Sequence, residues 1–433
     1  MKLKSPLKIA IAGLGTVGVG LIRQLNANGP LLEKRCGRKI QIVAVSARNR
    51  TQDRGIDIQN FKWFENPEMM AECADVEVIV ELIGGQNGVA KSICEKSLAT
   101  GKSVVTANKA LLAHHGSFLA NYAEKKNLSL AYEAAVAGGI PIIKTLREGL
   151  AGNKVISLYG ILNGTSNYIL TAMRNTSRVF NEVLAEAQSM GFAEADPSFD
   201  VDGIDSAHKL AILSSVSFGC KINFKDVYVE GIRYISPLDL ILAEELGYRI
   251  KLLGIAHLKE EGIEQRVHPC MVSLDSPITH VEGVQNAVVV DCDGAGSTIY
   301  EGMGAGGGPT ASALISDLVD IARNIKTPTF GLPINKLKSL PTVQMDKHVG
   351  AYYIRLMVVD KPGVFAEVAS ILRDEAVSME AILQKTHAPG NLVPLVMTTH
   401  EVEEGALKRV LKKFEALETV LEKPRMIRIE PLN

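Results

Sequence analysis

The chain has 433 residues, 46% of them hydrophobic, enough for two or three domains with cores of their own. Its 47 basic and 48 acidic side chains leave a net charge of −1, so no global field draws in nucleic acid or an anionic membrane. Six scattered cysteines without a CxxC pair, no secretory signal and no uninterrupted apolar run of about 18 residues point to a reduced cytoplasm, away from secretion or a membrane span.

The stretch "LKIAIAGLGTVGVGLIRQL" predicts a buried strand, a glycine turn and a helix opening at Thr16. This is GxGxxG in the context that gives it meaning. Gly13 allows the tight turn, Gly15 the close approach of backbone to a pyrophosphate, and Gly18 the packing of helix on strand. Thr16 and Val17 stand at the helix N-terminus, facing the phosphates. Further strands at "IQIVAVSA", "VEVIVELIG" and "KSVVTAN", each followed by a helix-like segment, predict a doubly wound parallel sheet. The second strand ends in "SARNR" and not in the acid that would hold the ribose 2′-hydroxyl of NAD. Arg48 and Arg50 stand where a 2′-phosphate would sit, which favours NADP over NAD, the alternative being two merely solvated loop arginines.

In "VVTANKALLAHHG", Lys109 directly follows a strand and opens a helix, where the macrodipole disfavours a cation. Strand ends of this kind line the crevice of an open α/β sheet, so Lys109 is a candidate to reach the nicotinamide or the reacting carbonyl. His114 and His115, further along, read as helix-surface residues. "AYEAAVAGGIPII" then places Glu133 beside a Gly-Gly-Ile-Pro turn with free carbonyls. Carbonyl oxygens and a carboxylate suit a hard cation, although composition alone describes only a loop before a helix.

"GILNGTSNYIL" predicts a strand, a polar turn and a helix, with Thr165 or Ser166 available as N-cap; the donors of that turn also suit a small polar ligand. The acids Glu194, Asp196, Asp200, Asp202 and Asp205 lead into "DSAHKLAIL". Here Lys209 follows Asp205 by four places, and the same helix face continues apolar through Ile212, Leu213 and Val216. An exposed pair at that spacing adds only about 0.2–0.5 kcal/mol. An inward lysine among carboxylates suggests proton transfer. The cluster lacks EF-hand spacing and suits a substrate ammonium as well as a divalent cation. Near residue 300 a second glycine loop, "YEGMGAGGGPTASALISDLVDIAR", enters an amphipathic helix that is expected to return to the first domain and make it discontinuous.

After a Pro-rich linker the tail reads strand, helix, strand, strand, helix, strand, the ferredoxin-like βαββαβ order. Its Asp-Lys-Pro-Gly turn resembles the ligand turn of ACT domains, which pair through their sheets and bind amino acids. An exposed sheet edge gives a motive for pairing, and a chain ending near residue 340 is expected to stay active and lose its effector response.

With "GLGTVG", "TANKALLA", "EAAVAGGIPII", "GILNGTSNYIL", "GFAEADPSFDVDGIDSAHKLAIL" and the ACT turn in hand, the chain resembles, over nearly all of its length, the bacterial homoserine dehydrogenases with a C-terminal ACT domain. The resemblance implies an α/β chain with a Rossmann domain over 1–135 plus about 304–326. An α+β substrate-binding and dimerisation domain follows at 136–303, then a linker at 327–348 and a ferredoxin-like ACT domain at 349–433. It implies reduction of L-aspartate 4-semialdehyde to L-homoserine with NADP, or NAD, on the route to threonine, methionine and isoleucine.

The family's catalytic roles then fall on Lys209, Lys109 and Asp205. Glu194, Gly164, Thr165 and Asp200 are expected on the substrate. The cofactor is expected on the first glycine turn, Arg48, Arg50, Lys109 and the second glycine loop at Gly304, Gly306 and Gly307. A monovalent cation, often sodium, would use the segment of Glu133, Val136, Gly138 and Ile140. An amino-acid effector, threonine by family expectation, would meet Asp360, Pro362, Gly363 and Val364. Homodimers or homotetramers are the expected assemblies.

Two other readings compete. Another ACT-regulated dehydrogenase is disfavoured by the Asp-x-x-x-Lys helix and the "NGTSN" turn. A noncatalytic sensor would leave the lysine and carboxylate set idle, and the chain has no helix-turn-helix or basic stripe with which to report to DNA.

Overall fold

The computed structural model describes residues 5–384 and 390–432. Its first sheet is parallel throughout. The strands run in the order Lys62–Trp63, Ile40–Ser46, Leu7–Ala12, Val78–Glu81, Ser103–Thr106, Leu130–Ala131, which is the 3-2-1-4-5-6 order of dinucleotide-binding folds. The first strand sits at the point where the order reverses, so the turn after Ala12 opens into the crevice. The helix Thr16–Cys36 follows that turn. The distant helix Gly307–Arg323 packs beside it: Ala311, Leu314 and Leu318 share one buried cluster with Leu21, Ile22 and Leu25.

The second sheet runs Gly296–Met303, Gln285–Cys292, Val155–Ile161, Tyr248–Lys259, Gly262–Ser273, and then continues into the tail through Arg425–Glu430, Val349–Val359, Leu392–Thr399 and Met379–Leu383. On one face lies the helix Ile204–Phe218, packed against the strands Tyr248–Lys259 and Gly262–Ser273 and against the helix Lys109–Lys125. Every residue from Asp205 to Val216 is buried. The sequence pattern predicts one inward stripe. Because the helix is covered by a sheet and by a second helix, its whole circumference is interior.

The tail has the βαββαβ order, with helices Val364–Asp374 and Glu404–Glu415. It is not a module hung on a flexible tether. Its last strand pairs in parallel with Gly262–Ser273, matching Cys270 with Arg428, Met271 with Ile429 and Val272 with Glu430. One edge that the sequence leaves open for self-pairing is therefore covered within the same chain, and the exposed strand Met379–Leu383 forms the other. The Pro-rich stretch is packed as well: Phe330, Leu337 and Met345 are buried, and the Pro341 carbonyl accepts the Ile263 N–H at 2.9 Å. Among the described residues no helix is long and apolar enough to cross a membrane, and Cys36, Cys94, Cys220, Cys270 and Cys292 are buried free thiols, with Cys73 half-buried.

Candidate active site

The glycine turn has the geometry a dinucleotide requires. Gly13 has φ 111°, and a Cβ at Gly18 would collide with the Gly13 carbonyl, so neither position accepts a larger residue. The helix begins at Thr16 with Gly15 as N-cap; no side chain caps it and no acid lies in its first turn, which leaves its N–H groups and positive end for an anion. Gly15 faces open space. Arg48 and Arg50 are exposed at the end of the strand Ile40–Ser46, and the Arg50 guanidinium lies 5.9 Å from the Trp63 ring centroid. Arg54, which sequence reasoning passed over, holds this loop to the glycine turn by donating to the Leu14 carbonyl at 3.1 Å and the Asn49 carbonyl at 2.6 Å.

The second glycine loop closes on the first. Gly307 lies against Thr16 and Gly20, Gln24 donates to the Gly308 carbonyl at 2.9 Å, and Gly306 has φ 111°. Gly304 backs onto Gly138, and Gly139 donates its N–H to the Met303 carbonyl at 2.9 Å, so this loop and the turn 136–140 abut. Ala137 and Gly138 both have positive φ, 55° and 52°. The Glu133 carboxylate is 1% exposed and receives the N–H groups of Ile143 at 2.8 Å and Lys144 at 2.9 Å. Burial and the neighbouring Asp317 raise its pKa to about 7. A buried acid held this far up would be eased by a cation beside it; of the expected carbonyls nearby, that of Ile140 accepts the Ile142 N–H at 2.8 Å.

Lys109 opens its helix at the end of the strand Ser103–Thr106. Two residues missed in the sequence set its place. Asn108 caps the helix through the Leu111 N–H (3.0 Å) and donates to the Gly85 carbonyl (2.7 Å). The buried Glu81 carboxylate accepts from the Ile83 and Gly84 N–H groups and from the Thr106 hydroxyl, at 2.8, 3.0 and 2.6 Å. Lys109 reaches Asp205 Oδ1 at 2.9 Å, and its ammonium lies 5.5 Å from the Phe199 ring centroid.

On the other side of the same carboxylate, Lys209 Nζ donates to Asp205 Oδ2 at 2.7 Å and to the Leu162 carbonyl at 2.6 Å. One aspartate thus joins two lysines that are 100 residues apart in the chain. Their environments push them in opposite directions. Asp205 raises the pKa of the half-exposed Lys109, while burial lowers that of Lys209 against the pull of Asp205. Burial works to raise Asp205 itself, but Lys209 and Lys109 hold it well below the usual carboxylate range.

Asn163 completes the cluster. Its Nδ2 donates to Asp200 Oδ1 and Asp205 Oδ2, both at 2.8 Å, and its Oδ1 caps the helix Gly164–Thr176 by accepting the Ser166 N–H at 2.8 Å. The sequence reading offers Thr165 or Ser166 for that cap; the cap lies two or three residues earlier, and asparagine at the start of the turn is the signal that identifies it. Thr165 instead ties the helix to the acidic loop through the Phe192 carbonyl at 2.7 Å. A Cβ at Gly164 would overlap the Val284 carbonyl, so that position stays glycine. Asp200 is half-buried and its pKa is raised, by burial first and Asp205 second. Glu194 is exposed on the loop beside the cluster, near enough for its charge to favour the protonated form of Lys109. His114 is exposed as expected, but its ring also packs 5.5 Å from the buried His208.

In the tail, the turn of Asp360, Pro362, Gly363 and Val364 opens the helix Val364–Asp374 with Gly363 at φ 97°. Asp360 exchanges backbone hydrogen bonds with Gly390 and Asn391, both at 2.9 Å.

A doubly wound nucleotide domain whose crevice meets a lysine–aspartate–lysine cluster, followed by a ferredoxin-like tail, defines a nicotinamide-dependent dehydrogenase with a regulatory module. Comparison with known proteins narrows the class. Residues 13–133 match the model of the homoserine dehydrogenase NAD binding domain, 141–319 that of homoserine dehydrogenase, and 352–419 that of the ACT domain. The chain is 44% identical to homoserine dehydrogenase of Pseudomonas aeruginosa over 440 residues, covering 99% of this chain and 100% of that one. It is 42% identical to the enzyme of Neisseria gonorrhoeae, with 99% of each covered. A solved homoserine dehydrogenase from Thiobacillus denitrificans superposes with a TM-score of 0.93 at 42% identity, over 99% of both chains. The chain belongs to the homoserine dehydrogenase family. Its activity is that of an NAD(P)-dependent oxidoreductase acting on a CH–OH group, interconverting L-homoserine and L-aspartate 4-semialdehyde.

Proposed function

We propose that Lys209 is the proton donor to the aldehyde oxygen and that Lys109 stabilises the negative charge developing there. The observation that carries this division is the shared Asp205, with its two lysines pushed in opposite directions. A general acid works best when its proton is not held too tightly, and burial provides that for Lys209. Lys109, kept charged by Asp205 and open to the crevice, suits a fixed positive charge. Bound nicotinamide supplies the hydride that reaches the aldehyde carbon. Asp205 accepts from Lys209 and pairs with Lys109, which brings the two nitrogens to one carboxylate, and Lys209, with N–H groups committed to Asp205 and Leu162, keeps a third for the substrate oxygen. In the reverse direction Lys209, neutral, takes the homoserine hydroxyl proton.

Glu194 and Asp200 bind the substrate ammonium, beside Gly164 and Thr165. Arg48 and Arg50 give NADP preference over NAD; a hyperthermophilic archaeal homoserine dehydrogenase solved with NADPH, 27% identical over 75% of this chain, supports the cofactor class. A monovalent cation, sodium by preference, sits with Glu133 and the carbonyls of Val136, Gly138 and Ile140. The ACT turn takes threonine, and the chain works as a dimer or tetramer. The free buried thiols suit a reducing cytoplasm. The packing of the helix Gly307–Arg323 supports a Rossmann domain made of 1–135 and 304–326, with 136–303 carrying the substrate.

The deciding experiment follows reduced-nicotinamide absorbance with homoserine and NADP or NAD, with and without threonine, in the parent chain and in Lys209→Met and Lys109→Met. The proposal expects turnover with NADP ahead of NAD and loss of kcat in both variants. Undiminished kcat in Lys209→Met would overturn the donor assignment.

A further inference from the structure

The segment 228–233 joins two regions with different work. At one end the strand Tyr228–Val229 pairs with Gly262–Ser273, and Glu230 donates its N–H to the Val267 carbonyl at 2.7 Å. At the other end the Ile232 N–H donates to the Val201 carbonyl at 2.9 Å, while Arg233 bonds the Asp202 carboxylate and the Ser198 hydroxyl. Between them Gly231 lies so close to Val201 and Asp202 that a Cβ would overlap the Val201 carbonyl. These contacts fall on the turn 198–203, which carries Phe199 and Asp200. That turn ends in Gly203, at φ 85°, where the helix of Asp205 and Lys209 begins.

The Glu230 carboxylate meets the tail. It accepts from Arg428 Nη1 at 2.7 Å and also from the hydroxyls of Tyr228 and Tyr234. Arg428, in the last tail strand, is 1% exposed. Its Nε and Nη2 form a bidentate pair with Glu404 at 2.7 and 2.8 Å, and Glu404 opens the tail helix Glu404–Glu415. Nη2 also reaches the Tyr228 hydroxyl at 3.1 Å, with the guanidinium 5.1 Å from that ring centroid. One planar group therefore ties the start of a tail helix to the strap that abuts the substrate turn.

A buried ion pair contributes little stability over a well-packed apolar contact, but a bidentate fork fixes orientation as well as distance. We propose that Arg428, acting through Glu230, is a positioning residue for Asp200: it holds the strap 228–233, and through it the turn 198–203, so that the tail sets the affinity of the active site for its amino-acid substrate without touching it. This rests on the reading of Asp200 as a substrate residue.

The test is steady-state kinetics of the full chain with homoserine and NADP, alongside thermal unfolding, for Glu230→Gln, Arg428→Lys, Arg428→Met and the Glu230→Gln/Arg428→Met double variant. Glu230→Gln keeps the side-chain shape and raises the homoserine KM about three- to tenfold, with kcat and the NADP KM within about twofold. Arg428→Lys, which keeps the charge but loses the fork, moves in the same direction and retains more affinity than Arg428→Met. The double variant binds homoserine no worse than Arg428→Met, because the two side chains act in one chain of contacts. Should Arg428 variants fail to fold, Glu230→Gln alone carries the test. An unchanged homoserine KM in folded Glu230→Gln would overturn the proposal. So would a joint fall of kcat and of affinity for both substrates in step with stability, the mark of a purely structural pair. Failure of the parent chain to turn over homoserine would instead remove the substrate reading on which the proposal stands.

Discussion

Two of the buried charge clusters, the active site and the seam with the tail, are built on different rules. In the active-site cluster two lysines share one aspartate, with Asp200 beside them, and Lys209 has its proton affinity lowered by burial. In the cluster at the seam with the tail, Arg266 pairs with Glu264 and Glu430, Arg428 with Glu404 and Glu230, and Glu264 also receives Lys259 and His348. There carboxylates and guanidinium groups saturate one another. His268, Cys270 and Glu430 approach as metal ligands would, but Arg266 bonds both Glu430 and His268 Nε2, so the cation of that place is already a side chain. Lysine is the residue whose protonation can be tuned by burial, and arginine is the one that stays charged and bonds in a fixed plane. The first cluster can move a proton. The second holds the last tail strand in register against Gly262–Ser273.

Removing the tuned lysine should give the largest effect. Lys209→Met is expected to lower kcat about 10²–10⁴-fold, the usual worth of a positioned general acid, while NADP binding measured by fluorescence stays near the parent value. Equal losses in kcat and cofactor affinity would mean that the helix, not the proton, had been lost.

At the seam the expected loss is of folding. Glu430→Gln takes one of two charged partners from the buried Arg266 and leaves Glu264, so it should cost part of the roughly 3–5 kcal/mol that follows when a buried pair is broken outright, read in denaturant unfolding. The same reasoning reverses the expectation for a chain ending near residue 340. It would strip the partner strand from Cys270, Met271 and Val272, take Glu430 from Arg266 and leave the Glu230 carboxylate without Arg428. Such a chain should aggregate and not survive as an unregulated enzyme; a soluble, active product would show that the seam is dispensable.

A smaller effect separates the cofactors. Arg48→Ala with Arg50→Ala should weaken NADP by about 1.5–3 kcal/mol, the worth of hydrogen bonds to a charged group, and leave NAD nearly unchanged. Equal KM changes for both cofactors would remove the 2′-phosphate from the argument.

How much of this was legible depended on range along the chain. The glycine turn announces itself because its requirements are local: a positive φ at Gly13, a bare position at Gly18 and a helix start at Thr16. The Asp205 and Lys209 pair was legible for the same reason, through helical spacing. That Lys109 would meet the far side of the same carboxylate could not be read, because the contact depends on how the strand Ser103–Thr106 and the helix Ile204–Phe218 are packed. Asn163 was visible as a polar turn residue but not as the bridge between Asp200 and Asp205. The seam was hidden most completely. A βαββαβ order describes the tail's own strands and says nothing about which of its edges another strand of the chain will cover.

A last comparison lies between Asp205, whose charge two lysines neutralise, and Glu133, whose nearest ammonium, on Lys144, is drawn toward Asp317 and Asp320. Burial raises the Glu133 pKa from 4.5 to about 7, with Asp317 adding to the rise and Lys144 opposing it; Asp317 is itself raised by burial to about 6. Between those limits the unfolded chain has lost protons that the folded chain keeps. The folded state binds more protons, so its stability falls as pH rises from 4.5 towards 7. A cation that binds beside ionised Glu133 would offset this, and its effect should grow through the same window and be full above pH 7. Sodium chloride is therefore expected to raise the unfolding free energy by about 1.4–2.7 kcal/mol when sodium stands 10- to 100-fold over its dissociation constant. Choline chloride at equal ionic strength should not, and Glu133→Gln should abolish the sodium effect and flatten the pH slope between about 6 and 7, leaving the part that Asp317 contributes below about 6. Equal stabilisation by choline would reduce the turn 136–140 to a packing element between two glycine loops.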